Sequence, residues 1–407
     1  MAGPLSHIKV LDLSRVLAAP WAGQNLADLG AEVIKVERPG GGDDSRAFGP
    51  PWLKDPQGAD TKESAYFAAA NRGKKSITIN LSKPEGQELV RKLASGVDVL
   101  LENYKHGDLA RYGLGYEDLR KINPGLIYCS VTGFGHTGPY KERAGYDFMV
   151  QGMGGLMSIT GERDDLPGGG PQRVGVPIVD LMTGMYASIA VCAAIAHRAV
   201  TGVGQHLDLA LLDTQVAFLA NQAMNYLATG ETPGRLGNAH PNIVPYQTFN
   251  TKDGAIILAC GNDNLFNKFC AMADCQALAT DPRFATNAKR VENRDDITAQ
   301  LNAVFAKRST REWVDALEQA GVPNGPINNL KQVFEEEQVV ARGVKIEMNH
   351  PTAGKVPLVA SPMRFSATPV EYKLPPPTLG QHTDEILRDV LKLDVSEIVR
   401  LRADKIV

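Results

Sequence analysis

Cysteine is scarce in this sequence. Five are spread over 407 residues, at Cys129, Cys192, Cys260, Cys270 and Cys275, with no C-x-x-C pair. An odd, scattered set excludes a disulfide framework and fits a reducing compartment. An excess of either charge is lacking too. Lys and Arg number 43 against 46 Asp and Glu, a net charge of −3, which leaves no electrostatic footprint for nucleic acid or an anionic membrane. Long apolar runs are also missing. The longest without a charge, Leu181–Ala196, has 16 residues, and spanning a bilayer takes about 20. The first residues carry no apolar signal core and no Arg-rich transit pattern, and a strand-like run begins by His7. The eight histidines have no ligand spacing, and no Walker loop, G-x-S-x-G or H-E-x-x-H occurs. A cytoplasmic enzyme with no metal, no nucleic-acid partner and no membrane partner is the expectation.

What is present is alternation of strand and helix patterns. Ile8–Leu13 reads as a strand, Trp21–Leu29 as a helix stopped by Gly30, and Glu32–Val36 as a second strand. Ser76–Leu81 reads as a strand, followed by a Ser82/Glu85 capping box with Pro84 in the first turn. Val97–Leu101, Leu126–Val131 and His206–Leu211 repeat the strand pattern. Such alternation predicts a Rossmann-like parallel sheet flanked by helices. Asp180–Val200 predicts a helix that is apolar on nearly every face, hence buried against another helix or subunit, and Leu212–Ala228 predicts one more. Near residue 240 the texture changes to α+β, with a hairpin at Asp253-Gly254 and a helix opened by Ser309-x-x-Glu312. The expected domains are 1–229 (large, α/β), 230–325 (small, α+β) and 326–407, which returns to the large domain beyond a Pro375–Pro377 linker. Residues 39–65 are Gly/Pro-rich and aperiodic, which predicts a long functional loop.

Three features invite chemistry. Gly133-Phe-Gly135-His-Thr-Gly138 matches G-x-G-x-x-G behind a strand, but Pro139 follows and no helix opens there. A dinucleotide fingerprint needs strand, turn and helix together, so close backbone approach is the better explanation. Basic residues recur around the first-domain strands: Arg38, then Arg72, Lys74 and Lys75, then Arg111. Arg forks and Lys charges at strand ends suit phosphate groups, and each is also compatible with an ordinary solvated surface. Asp180 is an acid in an apolar run just after Pro177. It is either a helix cap or a partly desolvated carboxylate available as a nucleophile.

The sequence resembles the class III CoA-transferase family (formyl-CoA transferase and carnitine CoA-transferase) over nearly its whole length. The resemblance rests on Val10-Leu-Asp-Leu-Ser-Arg-Val-Leu-Ala-Ala-Pro20, Leu29-Gly-Ala-Glu-Val-Ile-Lys-Val-Glu-Arg-Pro39, Asn71-Arg-Gly-Lys-Lys-Ser-Ile77, Glu102-Asn103, Gly145-Tyr-Asp147 and the Asp180 segment. It implies that Asp180 is the catalytic nucleophile and that CoA is a substrate, not a permanently bound cofactor. The CoA contacts implied are Arg15, Val16, Leu17 and Ala18 in the first motif, and Arg38 in the second. Further implied contacts are Asn71, Arg72, Gly73, Lys74 and Lys75, then Asn103, Tyr104 and Arg111, and finally Ala144, Gly145, Tyr146 and Asp147. An interlocked homodimer is implied as well, with acyl-CoA and small carboxylic acids as the other partners. So is a route in which Asp180 forms first a mixed anhydride and then an aspartyl-CoA thioester.

Two departures argue against formate and oxalate: no tetraglycine loop occurs in the small domain, and Leu17 stands where formyl-CoA transferase has glutamine. α-Methylacyl-CoA racemases share the fold but carry His where this chain has Tyr146. Tyr, with a pKa near 10, is a poor base at neutral pH, so transfer is favoured over racemisation; a non-catalytic acyl-CoA-binding protein is the third alternative. Asp43–Arg46, Arg143–Asp147, Ala239–Tyr246, Gly325–Asn329 and Leu379–His382 are similar to members that exchange CoA between succinate and glutarate. That likeness implies succinyl-CoA as donor and a short dicarboxylate as acceptor. Arg46, Arg235 and His240 are the candidates to hold its distal carboxylate.

Overall fold

The computed structural model describes residues 3–407. Met1 and Ala2, expected within the first domain, lie outside the described residues. The chain forms two compact units. The larger runs to Gly155 and continues through Val174–Ala223 and Gln338–Val407, and the smaller comprises Leu156–Arg173 and Met224–Glu337. Residues 156–173 thus leave the first domain, where sequence pattern put them, and the return to the larger unit comes at Gln338 instead of 326.

The larger unit begins with β1 (Lys9–Asp12), α1 (Ala18–Asp28) and β2 (Glu32–Glu37). A short hairpin follows, β3 (Trp52–Lys54) with β4 (Asp60–Ser64), leading into α2 (Ala65–Ala69). Residues 39–65 are therefore largely ordered structure and not the bare loop expected. Next come β5 (Lys74–Thr78), α3 (Pro84–Ala94), β6 (Val99–Glu102), α4 (Tyr116–Ile122), β7 (Ile127–Thr132) and α5 (Asp147–Met153). The short α6 (Leu156–Ile159) belongs to the smaller unit, and α7 (Ile178–Thr201), β8 (His206–Ala210), α8 (Leu211–Ala217) and α9 (Ala220–Thr229) follow. The Ser82/Glu85 capping box does not form: Asn80 accepts the Ser82 N–H at 3.0 Å in a local turn, and α3 starts one residue later with Pro84 first. The single helix expected over 212–228 breaks in two at Ala220, whose φ is 43°.

Six strands form one sheet in the order β5-β2-β1-β6-β7-β8, every neighbouring pair parallel. The chain starts at β1, builds outward through β2 and β5, then crosses to β6 and builds the other way. β1 and β6 therefore flank the topological switch point, where such sheets open a crevice at their carboxyl ends. Alternate residues feed two cores. Leu11, Ile34, Ile77 and Leu100 pack with α3 and with Ile386, Leu387, Ile398 and Leu401 of the returning segment. Val10, Val33, Val99, Leu101 and Ile127 pack with α1 and α7.

α7 is 24 residues long and apolar enough to cross a bilayer by length and composition alone, longer than its uncharged run suggested. Here it is a core helix on one face: Ala187, Val191 and Ala194 are buried against the sheet and α1. The opposite face, with Tyr186, Ile189 and Val200, is exposed in the single chain. The smaller unit has its own aromatic core of Phe249, Phe266, Phe269, Phe305 and Trp313. It carries a three-stranded antiparallel sheet of β9 (Tyr246–Asn250), β10 (Ala255–Ala259) and β11 (Asn324–Pro326). The returning segment adds the hairpin β12 (Lys345–His350) and β13 (Gly354–Val359).

Gly184 sets the spacing of α1 and α7. A Cβ there would lie 2.4 Å from the Ala18 carbonyl oxygen and 3.1 Å from the Trp21 Cβ. Alanine would gain roughly 1 kcal/mol of helix propensity, but overpacking against a backbone atom costs about 1–3 kcal/mol. Gly184→Ala is expected to be net destabilising, read as a lower urea midpoint at unchanged m-value; a raised midpoint contradicts the packing argument.

Candidate active site

The turn from β1 into α1 sits at the switch point and is held in a strained conformation. Val16 has φ 69°, a left-handed value that β-branched residues avoid. Such strain persists only where surrounding bonds over-determine it, and here they do. The Val16 N–H donates to Asp43 Oδ1 at 3.0 Å. The Arg15 N–H donates to Asn103 Oδ1 at 2.8 Å, and the Asn103 amide returns a bond to the Arg15 carbonyl at 2.7 Å. Asn103 follows β6, so its side chain stitches together the two strands that flank the crevice. Leu17, the residue before α1, provides no side-chain cap, so the positive end of that helix is left open. A cavity of about 160 Å³ at the same sheet edge is lined by Ser14, Arg15, Arg38, Asp43, Tyr104 and Tyr112, among others. The Arg15 guanidinium lies 5.0 Å from the Tyr104 ring centroid.

Asp180 lies in the first turn of α7 but does not cap it. The capping role belongs to Asp147, from the start of α5. Its Oδ2 accepts the N–H groups of Val179 at 2.7 Å and Asp180 at 3.2 Å, and its Oδ1 accepts Gln151 Nε2 at 2.6 Å. Gln151 in turn accepts the Val174 N–H at 2.9 Å. The Asp180 carboxylate accepts no hydrogen bond from any described residue. Burial, then the neighbouring Asp147 charge, push its pKa up to about 7. Tyr66, from α2, is near enough that burial and the charges of Asp180, Asp147 and Asp43 push its phenol up to about 12. It therefore stays protonated at neutral pH, within electrostatic range of these carboxylates. Gly184, one turn beyond Asp180, touches Ala18 at the start of α1, which sets Asp180 against the β1–α1 turn.

The glycine-rich stretch after β7 explains how Asp147 arrives there. Gly133 and Gly145 meet backbone to backbone: a Cβ on Gly133 would lie 2.4 Å from the Gly145 Cα, and one on Gly145 2.2 Å from the Gly133 Cα. The glycines thus serve close approach of two loops, and no helix opens directly behind Gly138 as a dinucleotide site requires, the next one starting only at Asp147.

The basic residues divide into two sets. Arg15 is partly exposed, and Arg38 and Arg111 are exposed, with Asp44 and Asp108 as salt-bridge partners. Ala144 and Tyr146 are exposed, and Gly145 is half-buried between them. By contrast Asn71, Arg72 and Lys74 are interior. Arg72 grips Asp28 with Nε and Nη2 and donates to the Val359 carbonyl at 2.9 Å. Lys74 Nζ reaches Asp12 at 2.9 Å, the Pro20 carbonyl at 2.8 Å and Asn71 at 2.9 Å. Lys75 pairs with Glu32 and Glu385, and Gly73 adopts φ 77° to let its N–H reach the Leu374 carbonyl. Arg46 is corrected most. Glu37 holds it through two bonds of 2.7 and 2.8 Å, and Glu63 and the Pro377 carbonyl take two more donors. Its guanidinium is buried with four of five N–H groups committed, so it has no open fork for a substrate carboxylate. In the smaller unit Arg235 pairs with Asp164, and His240 packs on Tyr246 at 5.3 Å between ring centroids. Sequence reasoning missed Tyr66 and Gln151, which stand in no recognisable pattern, and gave Asp147 no capping role.

A parallel sheet with its crevice at the switch point, and a desolvated carboxylate beside it, define a Rossmann-like α/β enzyme. The family model described as CoA-transferase family III matches residues 5–383, and the chain belongs to that family. It is 49% identical over 387 residues to a succinate–glutarate CoA-transferase of Agrobacterium fabrum, covering 95% of this chain and 96% of the relative. It is 46% identical to the human succinyl-CoA:glutarate CoA-transferase, covering 96% of this chain and 87% of the relative. Among solved structures, a CaiB/BaiF family protein from Brucella suis superposes with a TM-score of 0.83 at 50% identity, over 97% of this chain and 100% of that one.

If Arg72 serves the fold, Arg72→Met leaves Asp28 buried without its partner and destabilises the protein by about 3–5 kcal/mol, measured by urea unfolding. A phosphate-contact role predicts near-normal stability and a raised KM instead. If Asp180 is the nucleophile it must be ionised to attack, and kcat/KM should then rise with pH through about 7. Asp147→Asn removes a like charge and should move that limb to lower pH; a limb that stays in place contradicts the coupling. The sign for stability is the opposite. A carboxyl pKa raised on folding contributes stability that is full below the unfolded value near 4 and lost as pH rises through about 7. Asp180→Asn should flatten that loss in unfolding measured across the same pH range.

Proposed function

We propose that this enzyme moves CoA from succinyl-CoA to a short dicarboxylic acid, glutarate, with Asp180 as the nucleophile. The observation that carries the proposal is the Asp180 carboxylate itself: half-buried, accepting no hydrogen bond among the described residues, and with its pKa raised to about 7. A carboxylate stripped of donors keeps its electron pairs available, and a raised pKa makes it a stronger nucleophile. The names of the bacterial and human relatives supply the two acids.

The chemistry balances without a metal or ATP. An Asp180 oxygen attacks the succinyl-CoA thioester carbonyl, and the C–S bond breaks to give a succinyl-aspartyl anhydride and CoA thiolate. The thiolate attacks the aspartyl carbonyl and expels succinate, leaving an aspartyl-CoA thioester. Glutarate attacks that thioester, forming a second anhydride and freeing the thiolate again. The thiolate then takes the glutaryl group, and Asp180 returns as a carboxylate. The Tyr66 hydroxyl is a candidate donor to the oxyanions. CoA is placed over the β1–α1 turn, with the cavity beside Arg15, Arg38 and Tyr104 taking its nucleotide end, and Arg111 and residues 144–146 nearby. Arg235 and His240 remain the candidates for the distal acceptor carboxylate. The exposed apolar face of α7 is assigned to the partner of a homodimer, because a face bearing Tyr186 and Ile189 is costly to leave in water.

The enzyme incubated with succinyl-CoA alone should gain the mass of CoA less one water on the peptide carrying Asp180. Asp180→Ala should lose the adduct and at least a thousandfold in kcat while still binding CoA. Wild-type activity in that variant refutes the nucleophile. Racemisation is the outcome if α-proton exchange into D₂O occurs without an acceptor acid, and a mere binder does neither.

A further inference from the structure

Three of the five cysteines meet in the core of the smaller unit: Cys260 and Cys270 within it, Cys275 packed against it. The pair Cys270 and Cys275 is brought together by the end of α10 (Asp263–Met272). Ala273 is the C-cap, Asp274 takes a left-handed φ of 54°, and the Cys275 N–H closes on the Cys270 carbonyl at 2.9 Å. This is a Schellman ending, in which the residue beyond the left-handed one sets its side chain against the residue five earlier. Those two side chains here are both thiols, brought to the same side of the helix end by this backbone closure. Cys270 is fully buried and Cys275 half-buried. Arg308 pairs with Asp274 at 3.8 Å, and Lys307 faces Cys275. The neighbouring Cys270 thiol and the Lys307 charge hold the Cys275 thiol below its ordinary pKa against the effect of burial. Cys192 has similar exposure, but burial raises its pKa.

We propose that Cys270 and Cys275 are a reversible redox-active dithiol, with Cys275 as the attacking thiol. The Cys275 thiolate attacks one sulfur of a low-molecular-weight disulfide, forming a mixed disulfide and expelling one thiolate. That thiolate takes the Cys270 proton. The Cys270 sulfur attacks Cys275, closes the intrachain bond and expels the second thiolate. The protein gives up two electrons, and the small disulfide accepts them. Attack depends on a thiolate at the accessible position with a resolving thiol beside it, which is the arrangement that the helix ending provides.

The test uses the full-length folded enzyme, 2-hydroxyethyl disulfide near neutral pH, unfolding in iodoacetamide, and peptide mapping by mass spectrometry. The peptide spanning Cys270 and Cys275 should lose both alkylation sites and be two hydrogens lighter, while Cys129, Cys192 and Cys260 remain alkylated. A Cys270→Ser variant should stop at a mixed disulfide on Cys275, and dithiothreitol should reverse both products. Full alkylation of Cys270 and Cys275 after treatment, or modification of Cys192 ahead of Cys275, overturns the proposal.

Discussion

Lys35 is fully buried on an interior strand, and the crevice is organised around its ammonium group. Burial alone opposes that charge. Asp43, Asp12 and Glu37 more than offset it, and the lysine is held above its ordinary pKa. Lys35 Nζ meets Asp43 at 2.9 Å and the Ser14 carbonyl at 2.7 Å. Asp43 then fixes the Val16 N–H, and its own N–H donates to Glu37 at 3.0 Å, the carboxylate that also grips Arg46. On the other side Asp12 accepts from Ser14 and from Lys74. One buried cation thus connects the β1–α1 turn, the loop after β2 and the start of β5. Removing one partner of a buried pair costs about 3–5 kcal/mol, so the strain at Val16, of order 1–3 kcal/mol, is well within what the network can sustain.

The second carboxylate pair works by the opposite logic. Asp43 is surrounded by donors and sits far below the usual carboxylate range. Asp180 has no donors and a like charge nearby, and it sits far above that range. The environments of the two acids drive their pKa values in opposite directions, Asp43 held charged by its donors and Asp180 raised toward neutrality. Environments that separate titrating groups in this way mark the division between structure and chemistry in active sites. Asp147 mediates between them. By taking the first N–H groups of α7 it fixes the helix that carries Asp180, and its charge raises the energy of the carboxylate it positions.

Much of the fold was legible in the sequence because its signals are local. Strand runs bounded by glycine, and the Ser309/Glu312 capping box, which forms as read, depend on neighbours a few residues away. The break at Ala220 carries no glycine or proline and so gave no sign. The site was less legible because its logic is long-range. Spacing rated Asp180 a cap because Pro177 precedes it, but the cap comes from Asp147, 33 residues upstream in sequence. Tyr66 comes within electrostatic range of the carboxylates only once residues 39–65, a segment without periodicity, have folded. The pairing of Cys270 with Cys275 was hidden for a related reason: five residues apart is no motif until a left-handed Asp274 turns the chain back.

The stretch Asn71–Lys75 shows why a shared motif is not a contact list. Read as sequence, its three cations invite a phosphate. In the fold Arg72 is spent on Asp28 and Lys74 on Asp12, both buried, and Gly23 on α1 leaves just enough room, since a Cβ there would lie 2.9 Å from Asp12 Oδ2 and 3.1 Å from Lys74 Nζ. Lys74 is connected through Asp12 to Ser14 and so to the turn at Arg15 and Val16, and any effect it has on a ligand bound there is indirect. A cation that acts in this way is required at its position as strictly as one that touches phosphate. Its loss, however, appears first as a misplaced turn and a destabilised sheet edge, and only through them as weaker binding.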